Sequence, residues 1–136
     1  MDYLLDTNIC IFYLKGRFSL DKKIQSVGIS NCYVSEITIA ELKFGAENSS
    51  DPLKHHQIIN EFNNVFTILP LLPSLDVYAK EKTRLRKAGT PLDEFDLLIG
   101  ATAISNNLIL VTNNIKHFKR MQGVKLEDWT SPSHRS

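Results

Sequence analysis

Three acidic residues in this chain stand at the end of a predicted strand or in the first turn of a predicted helix. Asp6 ends the apolar run Tyr3-Leu4-Leu5. Glu41 and Asp96 each lie in the first turn of a helix predicted further along the chain. In parallel α/β sheets the carboxyl ends of the strands share one edge, where ligands bind. We therefore expect Asp6, Glu41 and Asp96 to meet there, and we call these three residues the acidic edge.

The chemistry of clustered carboxylates narrows what such an edge can do. Carboxylates at close range repel each other unless one is protonated or a cation lies between them. A ligand set of oxygen atoms without His or Cys selects hard cations, so Mg²⁺ or Mn²⁺ is expected. Such a cation generates hydroxide, orients a phosphodiester and stabilises charge on the leaving oxygen. The predicted chemistry is hydrolysis of a nucleic-acid backbone.

Helix capping is the simpler explanation for each acid taken singly. Acidic residues are favoured in first turns by the helix dipole. Thr38-x-x-Glu41 fits a capping box, which predicts a helix start near Thr38, and Asp93-x-x-Asp96 resembles a cap pair. Asp6, however, interrupts an apolar run, and the other two acids have apolar neighbours. Partial burial of an unpaired carboxylate is costly, and a shared cation would relieve that cost.

Apolar runs and caps predict strands that alternate with helices. Leu108–Val111 is continuously apolar, as is typical of a central parallel strand. Alternation of this kind predicts an α/β fold with a mostly parallel sheet covered on both faces. The predicted strands are 4–5, 32–34, 66–69, 108–111 and 124–126. The predicted helices are 8–14, 20–27, 38–47, one from Asp51-Pro52, 75–88 behind Ser74, one behind Asp93 and 116–120.

Composition sets further bounds. We expect one domain over residues 1–130 of the 136 and a flexible tail over 131–136. The sequence has no run of about 18 apolar residues, so no membrane span is expected. The acidic N-terminus does not resemble a secretory signal, so a cytoplasmic location is expected. Cys10 and Cys32 are expected to be buried free thiols. The net charge of +1 leaves a polyanionic partner open.

Two clusters of basic residues are candidates for contacting phosphates. Binding to RNA relies largely on Lys and Arg side chains. A solvated helix face is the commoner explanation for such clusters. The first cluster is Lys80, Lys82, Arg84, Arg86 and Lys87, and the second is Lys116, His117, Lys119 and Arg120.

Five motifs in order resemble the PIN domain, and most closely the VapC-type ribonuclease toxins of type II toxin–antitoxin systems. The resemblance covers nearly the whole chain. Each motif alone is weak, but their order and spacing are specific. They are Leu4-Leu5-Asp6-Thr7-Asn8, Ser35 to Gly45, Gly89-Thr90-Pro91 leading to Asp96-Leu97-Leu98-Ile99-Gly100-Ala101, Val111-Thr112-Asn113-Asn114 with Phe118, and Trp129.

This resemblance implies a compact three-layer α/β/α domain with Mg²⁺- or Mn²⁺-dependent endoribonuclease activity. It implies an RNA substrate, often tRNA, a VapB-type antitoxin as inhibitor, and a homodimer. Carried over by position, Asp6 and Asp96 resemble the metal ligands, and Glu41 resembles the third acid, which binds metal or positions water. Asn114 stands at the polar fourth position, with Thr112 nearby.

The sequence departs from the PIN pattern at two places. Asn113 and Asn114 are neutral where many PIN domains have an Asp, which favours one firmly held ion, or a second that binds only with substrate. Gly100 stands where similar toxins often have Ala, at some cost in helix stability. The missing fourth acid leaves an alternative open, a non-catalytic RNA- or protein-binding module on the same fold. Phosphotransfer is disfavoured, because Asn8 replaces the second Asp of acid-pocket phosphatases.

Overall fold

The computed structural model describes residues 1–131, so the predicted tail lies outside the described residues from position 132 onward. Its centre is a five-stranded sheet in which every neighbouring pair of strands is parallel. The strand order is β3-β2-β1-β4-β5. The strands are β1 Tyr3–Leu5, β2 Cys32–Ser35, β3 Thr67–Leu69, β4 Ile109–Val111 and β5 Lys125–Glu127. The predicted parallel sheet is confirmed.

Helices cover both faces of the sheet. They are α1 Thr7–Leu14, α2 Leu20–Val27, α3 Glu36–Glu47, α4 Pro52–Val65, α5 Leu75–Lys87, α6 Glu94–Ser105 and α7 Ile115–Phe118. Because side chains alternate along a strand, Leu4 and Leu5 of β1 enter opposite halves of the core. Leu5 packs with Val34 and Val111, whereas Leu4 packs with Leu110. The three-layer α/β/α architecture is thereby confirmed.

The strand order places the ends of β1 and β4 side by side. From β1 the chain moves to β2 and β3 on one side, and then returns to β4 on the other side. Leu5 lies opposite Val111, and the backbone N–H of Asp6 donates to the carbonyl oxygen of Val111 at 2.9 Å. A reversal of strand order opens a crevice at the carboxyl edge of such sheets. Asp6 and Thr112 flank that crevice.

The helix after β2 begins earlier than the sequence suggested. Its N-cap is Ser35, whose hydroxyl accepts the backbone N–H of Ile37 at 3.1 Å, and the helix starts at Glu36. The capping-box interpretation of Thr38 and Glu41 is therefore wrong. Glu41 lies in the second turn, where a cap has no orphan N–H group to satisfy.

Two of the three predicted single-residue caps are present. Asp51 accepts the N–H of Lys54, with Pro52 as the first helical residue, and Asp93 accepts the N–H of Phe95. Ser74 occupies the N-cap position of α5 but makes no capping bond. Its hydroxyl pairs with Ser105 at 2.7 Å instead, and that contact joins the beginning of α5 to the end of α6.

The cysteines are both buried and free, as predicted. Burial raises the pKa of the Cys32 thiol to about 11 and raises the pKa of Cys10 well above its usual value.

Trp129 is 1% exposed and packs edge-on against Tyr3, so it is a core anchor. Within residues 1–131, no helix has the length and apolar character needed to cross a membrane.

Candidate active site

Asp6 lies at the centre of the carboxyl edge and is 4% exposed. Its Oδ1 accepts the backbone N–H of Thr7 at 2.8 Å, which caps α1. Its Oδ2 accepts the hydroxyl of Thr112 at 2.8 Å, across from the end of β4. The capping interpretation thus accounts for one oxygen of Asp6, while the other is held by a residue 106 positions away.

Thr7 connects Asp6 to Glu41. The Thr7 hydroxyl donates to Oε1 of Glu41 at 2.7 Å and is 2.9 Å from the hydroxyl of Thr38. A hydroxyl has one proton to donate, so Thr38 donates to Thr7. Both threonines are buried. Their hydrogen bonds hold the Glu41 carboxylate against Thr7, the residue that follows Asp6. Sequence reasoning missed this role, because Thr38 was assigned to a cap and Thr7 to the turn.

Asp96 lies in the first turn of α6 and is half-buried. Asp93 caps this helix through the N–H of Phe95, at 3.2 Å. Since Asp93 supplies the cap, capping does not account for Asp96. Its carboxylate experiences the charges of Asp6, Asp93 and Glu41, so α6 brings it towards the same edge.

The electrostatics of the acidic edge disfavour its full ionisation. Burial, reinforced by the negative charges of Asp6, Asp93 and Glu41, raises the pKa of Asp96 to about 6. Burial also raises the pKa of Asp6, although the hydrogen bonds from Thr112 and Thr7 oppose the shift, and the charge of Glu41 adds to it. Carboxylates whose pKa values rise together lack a positive partner in their surroundings.

The fourth position is tied to the acidic edge through Thr112. The fully buried Thr112 hydroxyl donates to Asp6 and accepts the backbone N–H of Asn114 at 2.9 Å. Oδ1 of Asn114 hydrogen-bonds Nδ1 of His117. Asn113 is exposed. The structure therefore groups Asp6, Glu41, Asp96 and Asn114 at one edge.

The donor set fits a hard cation with a partly hydrated shell. In residues 1–131, no group of three or more His, Cys, Asp or Glu side chains forms a ready-made metal site. Mg²⁺ keeps several waters and is usually bound through one or two carboxylates plus substrate phosphates. Asp6 and Asp96 are two such carboxylates, and the raised pKa of each records a charge that a cation would neutralise.

The chain matches a known protein family over most of its length. The PIN domain family profile matches residues 3–124, a range that contains the whole acidic edge and Asn114. The chain belongs to the PIN-domain family. Ribonuclease VapC2 from Haemophilus influenzae is 38% identical over 132 residues, covering 95% of this chain and 98% of that protein. The tRNA(fMet)-specific endonuclease VapC from Salmonella typhimurium is 31% identical over 130 residues, covering 95% and 98%.

Solved structures of PIN-domain toxins in complexes share the fold. The DNA-bound VapBC structure from Salmonella typhimurium superposes with a TM-score of 0.88 at 30% identity, covering 95% of this chain and 98% of that chain. The predicted PIN-like architecture and the VapC-type resemblance are thereby confirmed.

The basic residues on α5 of this PIN domain divide into structural and exposed ones. Arg84 makes two hydrogen bonds to Glu81, at 3.0 and 2.7 Å, and donates to the carbonyl oxygen of Arg120. Lys82 pairs with Glu94 at 2.9 Å. The first cluster is therefore only partly available to phosphates, through the exposed side chains of Lys80, Arg86 and Lys87.

An apolar groove runs beside the acidic edge of this PIN domain. It has a volume of about 380 Å³, lies between α1, α3 and α4, and includes Glu41 in its wall. A segment bound in the groove would therefore lie against Glu41 of the acidic edge. Its apolar lining consists of Ile11, Leu14, Leu42, Ala46, Ile58 and Ile59.

Proposed function

We propose that this PIN domain is a divalent-metal-dependent endoribonuclease, the toxin of a toxin–antitoxin pair, that hydrolyses RNA phosphodiester bonds. The observation that carries the proposal is the partly buried, mutually repelling acidic edge, in which the pKa values of Asp6 and Asp96 are both raised. Catalytic sites commonly hold carboxylates in such unfavourable surroundings. The names of the VapC relatives, which are ribonucleases, support it.

Each residue of the edge has a distinct role in this proposal. Asp6 and Asp96 hold the ion, and Thr112 and Thr7 orient the Asp6 carboxylate towards it. Glu41, held by Thr7, binds the same ion or accepts a proton from the attacking water. The ion, when bound, supplies Lewis acidity and a water of lowered pKa.

The substrate we propose is RNA, with tRNA as the leading class. One relative is named for tRNA(fMet), which makes that tRNA the first substrate to test. Lys116 on α7 and Lys119 directly after it are exposed, and α7 follows Asn114, so both lysines lie where phosphates beside the scissile bond would pass. Non-specific electrostatic contacts of this kind weaken with added salt.

A VapB-type antitoxin is the proposed inhibitor. The structural relatives include VapBC complexes, in which toxin and antitoxin are bound together. The apolar groove beside Glu41 fits an antitoxin segment with apolar side chains, since segments of this kind bind through such anchors. The homodimer implied by the resemblance stays a prediction.

Cleavage of tRNA(fMet) transcript by Asp6→Asn tests the proposal. We expect activity to fall by roughly 10³-fold, the scale on which loss of one transition-state-stabilising group acts. EDTA is expected to abolish wild-type cleavage and Mn²⁺ to restore it. Asp21→Asn is the matched control, because Asp21 is an exposed acid on α2.

Undiminished cleavage in EDTA would refute metal dependence. Binding of RNA by the wild-type protein without cleavage, in Mg²⁺ and in Mn²⁺, would support the non-catalytic binding module instead. Circular dichroism of Asp6→Asn separates lost chemistry from lost fold.

A further inference from the structure

The side chain of Asn114 is held by a residue that the acidic edge does not otherwise use. Oδ1 of Asn114 hydrogen-bonds Nδ1 of His117, one turn further along the chain in α7. His117 is exposed, so burial does not explain its position. The contact fixes the orientation of the Asn114 carboxamide.

The chemistry of the two partners fixes the direction of this hydrogen bond. A carboxamide oxygen only accepts, so Nδ1 of His117 must carry the proton. The oxygen and nitrogen of a carboxamide diverge from the same planar carbon, so Nδ2 of Asn114, with its two N–H donors, is left free of His117.

The backbone of Asn114 is fixed as well. Its N–H donates to Thr112 at 2.9 Å, and the Thr112 hydroxyl donates to Asp6 at 2.8 Å. A continuous series of hydrogen bonds therefore leads from His117 through Asn114 and Thr112 to Asp6. A displacement of Asn114 is opposed at both its backbone and its side chain.

This arrangement favours one of two uses of Asn114. A metal ion would take the carboxamide oxygen, one of whose two lone pairs already accepts from His117. The remaining N–H donors are suited to an anionic oxygen. We propose that His117 is a positioning residue, which holds Asn114 so that its amide N–H groups donate to a non-bridging oxygen of the scissile phosphate. The proposal rests on the ribonuclease function proposed above.

A double-mutant cycle on the tRNA transcript that wild type cleaves tests this coupling. We expect His117→Ala to lower kcat about tenfold with KM little changed, since one neutral hydrogen bond of orientation is lost. Asn114→Ala is expected to lower kcat between about tenfold and 100-fold. The double variant should have the same kcat as Asn114→Ala, because the two changes remove the same interaction. His117→Asn, whose amide donor replaces Nδ1–H, should recover most of the activity.

A phosphorothioate at the scissile position adds a readout that a purely structural role would not move. Sulfur accepts hydrogen bonds poorly, so the ratio of wild-type to Asn114→Ala rates should approach one on the relevant thio isomer. His117→Ala should show the same reduced ratio. Measurements in Mn²⁺ limit the effect of sulfur on the ion itself. His56→Ala is the matched control, a histidine paired with Glu47 on the surface of α4.

The outcomes separate this inference from the function on which it rests. A wild-type protein that cuts no RNA would refute the ribonuclease itself. Wild-type cleavage with an unaffected His117→Ala, or with additive losses in the double variant, would overturn the role of His117 alone. Nitrogen-15 NMR gives an answer independent of cleavage, because a His117 ring protonated only at Nε2 contradicts the proposed hydrogen bond.

Discussion

Two nearly buried carboxylates in this chain have opposite surroundings. Asp6 is 4% exposed and Glu81 is 8% exposed. Neutral hydroxyl and amide groups surround Asp6, and its pKa is raised by burial. Glu81 accepts two hydrogen bonds from Arg84 and one from the backbone N–H of Gln122, and the Arg84 hydrogen bond lowers its pKa.

The difference shows how the fold separates stability from chemistry. We call Glu81, Arg84, Arg120 and Gln122 the Glu81 corner, in which Arg84 joins α5 to the segment after α7. There, the negative charge of the acid is balanced within the protein. At the acidic edge Asp6 is held by hydrogen bonds from neutral groups, so ionisation there costs free energy that a bound cation would offset.

Replacing one acid of each region by its amide, Asp96 at the acidic edge and Glu81 at the Glu81 corner, is expected to give the largest effects. Asp96→Asn should lower RNA cleavage by roughly 10³-fold, because one of two proposed ligands is lost, while the unfolding free energy stays unchanged or rises. Glu81→Gln should leave cleavage intact and lower the unfolding free energy by about 1–2 kcal/mol, since its charged hydrogen bonds to the partly exposed Arg84 are lost.

Urea denaturation and cleavage assays on both variants check the exchange. Glu94→Gln is the matched control, because Glu94 pairs with Lys82 at the surface, and a shift within about 0.5 kcal/mol is expected. Loss of cleavage in a well-folded Glu81→Gln variant would break the comparison.

A substitution at Gly100, which lies next to the Glu81 corner, is expected to change the stability by a smaller amount. A Cβ at Gly100 would lie 2.2 Å from Sδ of Met121, which stands between Arg120 and Gln122 of the Glu81 corner. We expect Gly100→Ala to destabilise the protein by about 1 kcal/mol through overpacking, despite the better helix propensity of Ala. In a Met121→Ala background, the same change should become stabilising, and thermal unfolding of the four proteins checks this sign reversal.

The smallest expected effect is a pH dependence of stability. Between its ordinary pKa of 3.8 and its folded pKa of about 6, Asp96 binds more protons in the folded state than in the unfolded state. Its stabilising contribution is full below that window and is lost as pH rises through about 6. Glu81 has the opposite sign, because its lowered pKa stabilises the fold above its ordinary value and the contribution is lost as pH falls.

Urea midpoints in EDTA at about pH 5 and about pH 7 measure this window. When the pH is lowered, the urea midpoint of wild type should rise relative to the urea midpoint of Asp96→Asn. Equal changes in the two proteins would show that Asp96 does not titrate there.

Local patterns in the sequence predicted most of the fold. The apolar runs gave the five strands to within a residue or two, and α2 begins and ends where the sequence placed it. The parallel sheet followed from alternation with helices, and the acidic edge followed from the parallel sheet. Asp51 and Asp93 were recognisable as caps, because a cap is a local interaction.

The supports of the site were not predictable, because their partners are distant in sequence. Thr7 meets Glu41 34 positions later, and Thr112 meets Asp6 across 106 positions. Arg84 was placed among the phosphate-binding candidates although Glu81 stands three residues earlier on the same helix, because nothing local reveals that the carbonyl of Arg120 also accepts from its guanidinium. The capping-box error at Thr38 has a different origin, because Ser35, three residues earlier, caps the helix and the Thr38 hydroxyl instead hydrogen-bonds Thr7.

The central position of β1 has a consequence for how the protein folds during its synthesis. Its pairing with β4 joins the first residues of the chain to residues beyond 108, and contacts at such separation form late because the intervening loop must close first. A chain still under synthesis, in which Thr112 has not emerged from the ribosome, has no partner for Oδ2 of Asp6. The acidic edge is therefore assembled only after the segment that contains Thr112 has been synthesised and has paired with β1.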